Sequence, residues 1–170
     1  MRILIVGLCV LGTACADAAL TSPAAPTVSF LQAGDGIRQT SARNGSQLPF
    51  RGDLQANEKF VNPHSVTGGG TGNHLGTFTY AAEITVDDDT GDGTGTVLWT
   101  AANGDTISAT THGVILEFSE SEITVRETQT ISGGTGRFSG ASGTIILTRT
   151  LDLATGSTSG TYTGTINQGS

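Results

Sequence analysis

Residues 131–166, ISGGTGRFSGASGTIILTRTLDLATGSTSGTYTGTI, decide the fold. Ile145, Leu147 and Leu151 recur at a period of two, as do Tyr162 and Ile166, and that period belongs to half-buried strands. Gly133, Gly134, Gly136, Gly140 and Gly143 precede them and suit a corner between strands, where positive φ and close backbone approach exclude side chains. Phe138 reads as a plug for that corner and Arg137 as a solvated charge. The stretch does not fit a phosphate cradle. It lacks the Gly-Lys-Ser/Thr ending of a P-loop and the G-x-G-x-x-G spacing, and no helix follows whose N-terminus would hold an anion.

The alternation extends toward the N-terminus. Phe50, Leu54, Ala56, Glu58 and Phe60 share one parity, and Phe78, Tyr80, Ala82, Ile84 and Val86 another. Asn103-Gly104 is a strong hairpin signal, and a two-residue loop there pairs Ala102 with Asp105. That register puts Val97, Trp99, Ala101, Ser108, Thr110 and His112 on one face, with Leu98, Ile107 and Ala109 on the other; both faces are mixed, so which one is inward stays open. Strands are expected near 50–60, 74–86, 94–102, 106–118, 122–131, 143–153 and 158–167. An eighth comes from splitting 106–118 or from 64–70, within an otherwise flexible glycine-rich connection. The predicted fold is therefore all-β, a small closed antiparallel β-barrel of about eight strands, since closure removes the free edges of an open sheet. At about eight strands the interior holds side chains or one small ligand.

Gly133, Gly134, Thr135, Gly136, Phe138, Gly140 and Gly143 carry a family likeness as well. This Gly-Gly-Thr-Gly corner with its following aromatic residue resembles the signature of the allene oxide cyclase and dirigent group of small, calycin-like β-barrels. The likeness covers mainly residues 127–166, and Asn57 with Glu58 resembles an Asn-Glu pair on the first strand of the cyclase. A cyclase likeness implies a lipid-like epoxide cyclised inside the barrel with help from a carboxylate and a bound water. A dirigent likeness implies steering of coupled phenolic radicals without bond chemistry by the protein, often in an oligomer. Bacterial exported proteins with this pattern bring no defined set of reacting residues.

Polar residues that share a parity with apolar ones are the informative ones, because burial without partners is costly. Glu58 lies with Leu54 and Ala56, Glu127 with Ile123 and Val125, Arg149 with Leu147 and Leu151, and Tyr162 with Ile166, while His74 and Tyr80 lie with Phe78 and Ile84. These six are the candidate ligand-binding residues. Arg149 is expected to bond Glu127, with Glu58 the second choice. The cluster is either a satisfied structural network or the polar floor of a small-molecule pocket.

Met1 to Cys15 has the form of a short secretory signal, with Arg2 ahead of an apolar run too short to span a membrane. Two cleavage readings compete: a lipobox ending at Cys15, which would be lipidated, and an Ala16-Asp17-Ala18 site that leaves a freely secreted chain. Residues 1–18 are thus read as signal, 19–47 as a flexible tether rich in Ala, Ser, Pro and Gly, and 48–170 as the barrel. Localisation follows as exported: periplasm, cell envelope or extracellular. Cys9 and Cys15 are the only cysteines, so the barrel has no disulfide.

Net charge is −7 with eight Lys plus Arg, which argues against nucleic acid as a partner. Membrane contact is expected only through the lipid anchor, and self-association is left open. No cofactor and no metal are expected. His64, His74 and His112 are widely spaced, and the acidic loop Asp87–Gly93 puts Trp99 where a calcium loop needs its bidentate Glu, so it reads as a hairpin turn. No Gly-x-Ser-x-Gly elbow suggests a serine hydrolase. The expected function is binding of a small, largely apolar ligand inside the barrel. The alternatives are an isomerase or cyclase using Glu58 or Glu127, and a structural envelope module with a filled core.

Overall fold

The computed structural model describes residues 47–169. The signal segment 1–18 with Cys15 and the tether 19–47 lie outside the described residues, apart from Gln47, which opens the first strand.

Eight strands, β1 (Gln47–Lys59), β2 (His64–Gly72), β3 (Gly76–Val86), β4 (Gly93–Ala101), β5 (Thr106–Phe118), β6 (Glu122–Gly134), β7 (Ser142–Asp152) and β8 (Ser157–Asn167), form a closed barrel. Each pairs antiparallel with its sequence neighbours, and β1 closes on β8 from Gln47↔Asn167 to Asn57↔Ser157. Closure leaves no strand edge unpaired, which removes the hazard of edge-to-edge association. The connections 60–63, 87–92, 119–121 and 153–156 gather at one end; the glycine corner and the connections 73–75 and 102–105 gather at the other.

The corner behaves as the sequence suggests. A single 3₁₀ turn, Gly136–Phe138, follows Gly134, and Phe138 is fully buried as the plug. Gly136 and Gly140 take the left-handed φ values 55° and 67° that favour glycine. Arg137 is not simply solvated. Its guanidinium stacks 4.9 Å over the Phe138 ring, and its Nε lies 3.6 Å from Asp105.

Of the two sources expected for the eighth strand, 64–70 supplies it and 106–118 stays whole; the flexible connection read around 64–70 and the register of the Asn103-Gly104 hairpin are corrected. The glycine-rich stretch is the eighth strand: β2 pairs Gly68, Gly69 and Gly70 with Ala56, Gln55 and Leu54 of β1, and a Cβ on Gly68 or Gly70 would collide with the β1 backbone. Glycine here permits close strand approach; it does not mark a flexible link. The Asn103-Gly104 hairpin exists, but its register is displaced by one residue. Ala101 N–H donates to Asp105 O at 2.9 Å, so the loop has three residues with Gly104 at φ 87°, and Trp99 pairs with Ile107. A one-residue slip reverses every side chain on the strand, so Ile107, Ala109 and Thr111 face inward with Val97 and Trp99, while Ser108, Thr110 and His112 face out.

The interior is stacked in three layers. At the corner end Phe50, Phe78, Trp99 and Tyr162 pack in edge-to-face and tilted arrangements with centroid separations of 4.8 Å to 6.1 Å, alongside Ile107, Ile145 and Ile166. The middle layer is polar. At the opposite end the inward side chains are aliphatic and leave space between them.

Candidate functional site

The inward parity of β6 and β7 places Glu127 beside Arg149, and the inward glycine of β8 lets Arg149 reach further. Gly160 is the register partner of Arg149, and a Cβ there would meet the Arg149 backbone. With that side chain absent, Arg149 extends over β8 to Glu58 on β1. Its Nε donates to Glu127 Oε1 at 2.6 Å, and its Nη1 donates to Glu58 Oε2 at 2.6 Å and to Thr158 Oγ1 at 3.3 Å. Both expected carboxylates are therefore partners of the one guanidinium.

The second oxygen of each carboxylate is committed as well. Glu127 Oε2 accepts from Gln129 Nε2 at 3.1 Å, Thr111 Oγ1 at 3.3 Å and the Tyr80 hydroxyl at 3.4 Å. Trp99 Nε1 donates to Gln129 Oε1 at 3.0 Å, which ties the aromatic layer to the polar one. Glu58 Oε1 lies 2.8 Å from His64 Nδ1. A continuous network thus runs from Trp99 through Gln129, Glu127, Arg149 and Glu58 to His64. Paired buried networks of this kind rigidify a core and specify its arrangement. Burial opposes the Arg149 charge, but Glu127 and Glu58 outweigh it and hold its pKa above the ordinary value. Burial raises the Tyr80 pKa well above its usual value, and the Glu127 carboxylate adds to that, with Arg149 opposing.

Above this floor lies a cleft of about 90 Å³, walled by Ile84, Val86, Ile115, Ile123, Val125 and Leu151 and reached past His64. Gly93 and Gly113 also line it, and they are register partners on β4 and β5, both directed inward. Two facing side chains are missing at this level of the barrel, which is why the aliphatic layer does not close. Around the mouth Phe60, Ile115, Leu116 and Phe118 are exposed.

Of the six residues expected from the sequence, Glu58, Glu127 and Arg149 line the cleft and Tyr80 supports them from below. Tyr162 is buried in the aromatic layer instead, and its hydroxyl has no hydrogen-bond partner among the described residues. His74 does not join the site. It is exposed in the connection between β2 and β3 at φ 64°, at the corner end of the barrel, because β3 begins at Gly76 and not at His74. Sequence reading missed Gln129, Thr111, Thr158 and His64. Gln129 shares a parity with Glu127 and Ile131, so the rule that found Glu127 also reaches it. His64 opens a strand whose only apolar residue, Val66, shares its parity, and the glycines from Gly68 on leave no longer alternation to place it.

A closed eight-stranded barrel with a narrow cleft over a paired polar floor is the class of protein that fold and site define. No known protein family, curated protein or solved structure was found to match the chain.

Proposed function

We propose that the barrel binds a small, largely apolar ligand, with its polar end on the Arg149–His64 side of the cleft and its body against the aliphatic walls and the rim. The observation that carries this reading is the Gly93–Gly113 pair, which keeps an aliphatic-walled cleft open directly above buried polar groups. A structural module gains nothing from leaving that layer unfilled, since a void forfeits packing contacts. Small-molecule pockets commonly span about 300–1,000 Å³. At about 90 Å³ the cleft encloses only one end of a ligand, and the exposed Phe60, Ile115 and Phe118 offer apolar surface for the rest. The export signal read at residues 1–18 puts this binding in the periplasm, on the cell envelope or outside the cell, with or without a lipid on Cys15.

Native mass spectrometry of the mature chain, purified gently from its own envelope, tests the proposal. A bound mass of a few hundred daltons, absent from a Gly113→Val variant whose cleft is filled, is the expected result. A bare protein mass, even after envelope extract is added back, would favour the structural module.

A second reading is an isomerase or cyclase of the allene oxide cyclase type. The observation favouring it is the 2.8 Å contact of His64 with Glu58 at the cleft, an imidazole and carboxylate paired as in proton-transferring sites.

A further inference from the structure

His64 and Arg149 are the two polar residues bordering the cleft that retain unused hydrogen-bonding atoms. A carboxylate only accepts, so His64 Nδ1 donates to Glu58, and in the neutral imidazole Nε2 is then an acceptor. Nε2 makes no hydrogen bond among the described residues, and neither does Nη2 of Arg149, whose Nε and Nη1 are both engaged. The Tyr162 hydroxyl is the one fully buried side-chain polar atom without a partner among those residues, so Nε2 and Nη2 border open space. Both residues line the cleft. The His64 side chain is 19% exposed, against 5% for Glu58, 4% for Arg149 and 1% for Glu127, so a ligand entering from the rim meets His64 first.

We propose that this pair of unused atoms selects an uncharged aliphatic alcohol: the hydroxyl donates to His64 Nε2 and accepts from Arg149 Nη2, while the alkyl body lies along the aliphatic walls. This rests on the cleft being a binding site. A hydroxyl is the smallest group that both donates and accepts. A carboxylate cannot donate to Nε2, and it would enter a floor where two carboxylates already outnumber one guanidinium. An ammonium has no lone pair for Nη2, and it would be stripped of water against Ile84, Ile115 and Val125. The walls are branched and aliphatic, and the mouth carries the half-exposed Phe60, whose ring centroid is 5.9 Å from that of His64.

The test is calorimetric titration of the mature chain at about pH 8, where octanoate and octylamine are both charged, with octan-1-ol, octanoate and octylamine. Octan-1-ol is expected to bind roughly tenfold or more tightly than either charged probe, and a folded His64→Leu variant to lose that margin. Octanoate or octylamine binding as tightly as the alcohol would overturn the selection by a hydroxyl while leaving the cleft a site for apolar ligands. Unchanged octan-1-ol affinity in His64→Leu would likewise remove His64 from recognition. Binding of none of the three would overturn both this inference and the binding reading beneath it. The comparison of probes on the unaltered protein stands even if the variant fails to fold.

Discussion

Arg149 Nε lies 2.6 Å from Glu127 Oε1 across β6 and β7, one diagonal step from the register partner of Arg149, Val125. The same guanidinium holds Glu58 from β1, so one cation fixes two carboxylates inside a barrel that buries all three. Removing it leaves like charges buried together. Arg149→Met is expected to cost about 3–5 kcal/mol in urea unfolding followed by Trp99 fluorescence. Converting Glu58 and Glu127 to Gln in the same chain should recover much of that loss, because apolar or neutral replacements of a complete buried ion cluster are often tolerated. A double-mutant cycle of Glu127→Gln with Arg149→Met should show strong coupling; simple additivity would mean the contact carries no energy.

The cleft exists because β4 and β5 each present a glycine at the same level. A Cβ on Gly113 would sit 3.4 Å from Glu127 Cγ and Val125 Cγ1, at the near limit of ordinary contact, with the cleft beside it to take the valine methyls, and its φ lies outside the left-handed region. Gly113→Val should therefore fold, and stability should hold or rise by up to about 1 kcal/mol, since glycine inside a strand is unfavourable. Ligand binding should be lost at the same time. Gain in thermal midpoint without loss of ligand would show that the ligand sits elsewhere.

Tyr162 occupies space that two glycines leave for it. A Cβ on Gly72 would overlap the Tyr162 hydroxyl, and one on Gly52 would lie 2.6 Å from it. Gly72→Ala is expected to destabilise clearly, and Tyr162→Phe to restore part of the loss in the same chain. Tyr162→Phe alone should be neutral or mildly stabilising, because the hydroxyl it removes is buried without a partner among the described residues. A loss above about 1.5 kcal/mol in that single variant, the upper end of a typical hydrogen bond, would mean the hydroxyl is bonded after all.

Alkaline pH should unfold the barrel in a definite window. Burial raises the pKa of both tyrosines, with Glu127 adding to the effect at Tyr80 and Asp53 at Tyr162. An unfolded tyrosine releases its proton near pH 10, so above that the folded chain holds more protons than the unfolded one. Stability is then fully present below about pH 10 and falls as pH rises beyond it. Lys59 is the only lysine in the sequence, so few other groups titrate there. Urea midpoints measured from about pH 8 to 11 should be level and then decline; a midpoint that climbs above pH 10 would contradict the raised values.

The sequence made the barrel legible where strands alternate and corners need glycine. Leu147, Arg149 and Leu151 share a parity, and that alone placed a charge in the interior and suggested its partner. Where the pattern is silent, reading failed for physical reasons. Gly68, Gly69 and Gly70 carry no side chains from which a period can be read, so the strand that brings His64 to the cleft stood as only one of two candidates for the eighth. At Asn103-Gly104 the dipeptide marks a turn but not its length, and the extra loop residue reversed the faces of β5. His74 failed for a related reason, since a strand's parity was extended two residues past its true start, into a turn. The cleft itself could not be seen, because it is made by the alignment of Gly93 with Gly113, which register alone determines.

The most direct test of a ligand-binding cleft is methyl NMR of isoleucine-labelled mature protein, titrated with envelope extract and then with octan-1-ol. The account predicts shifts at Ile84, Ile115 and Ile123, which wall the cleft, and none at Ile107, Ile145 and Ile166 in the sealed aromatic end. Shifts confined to the latter set, or none at any of the six with either addition, would contradict it.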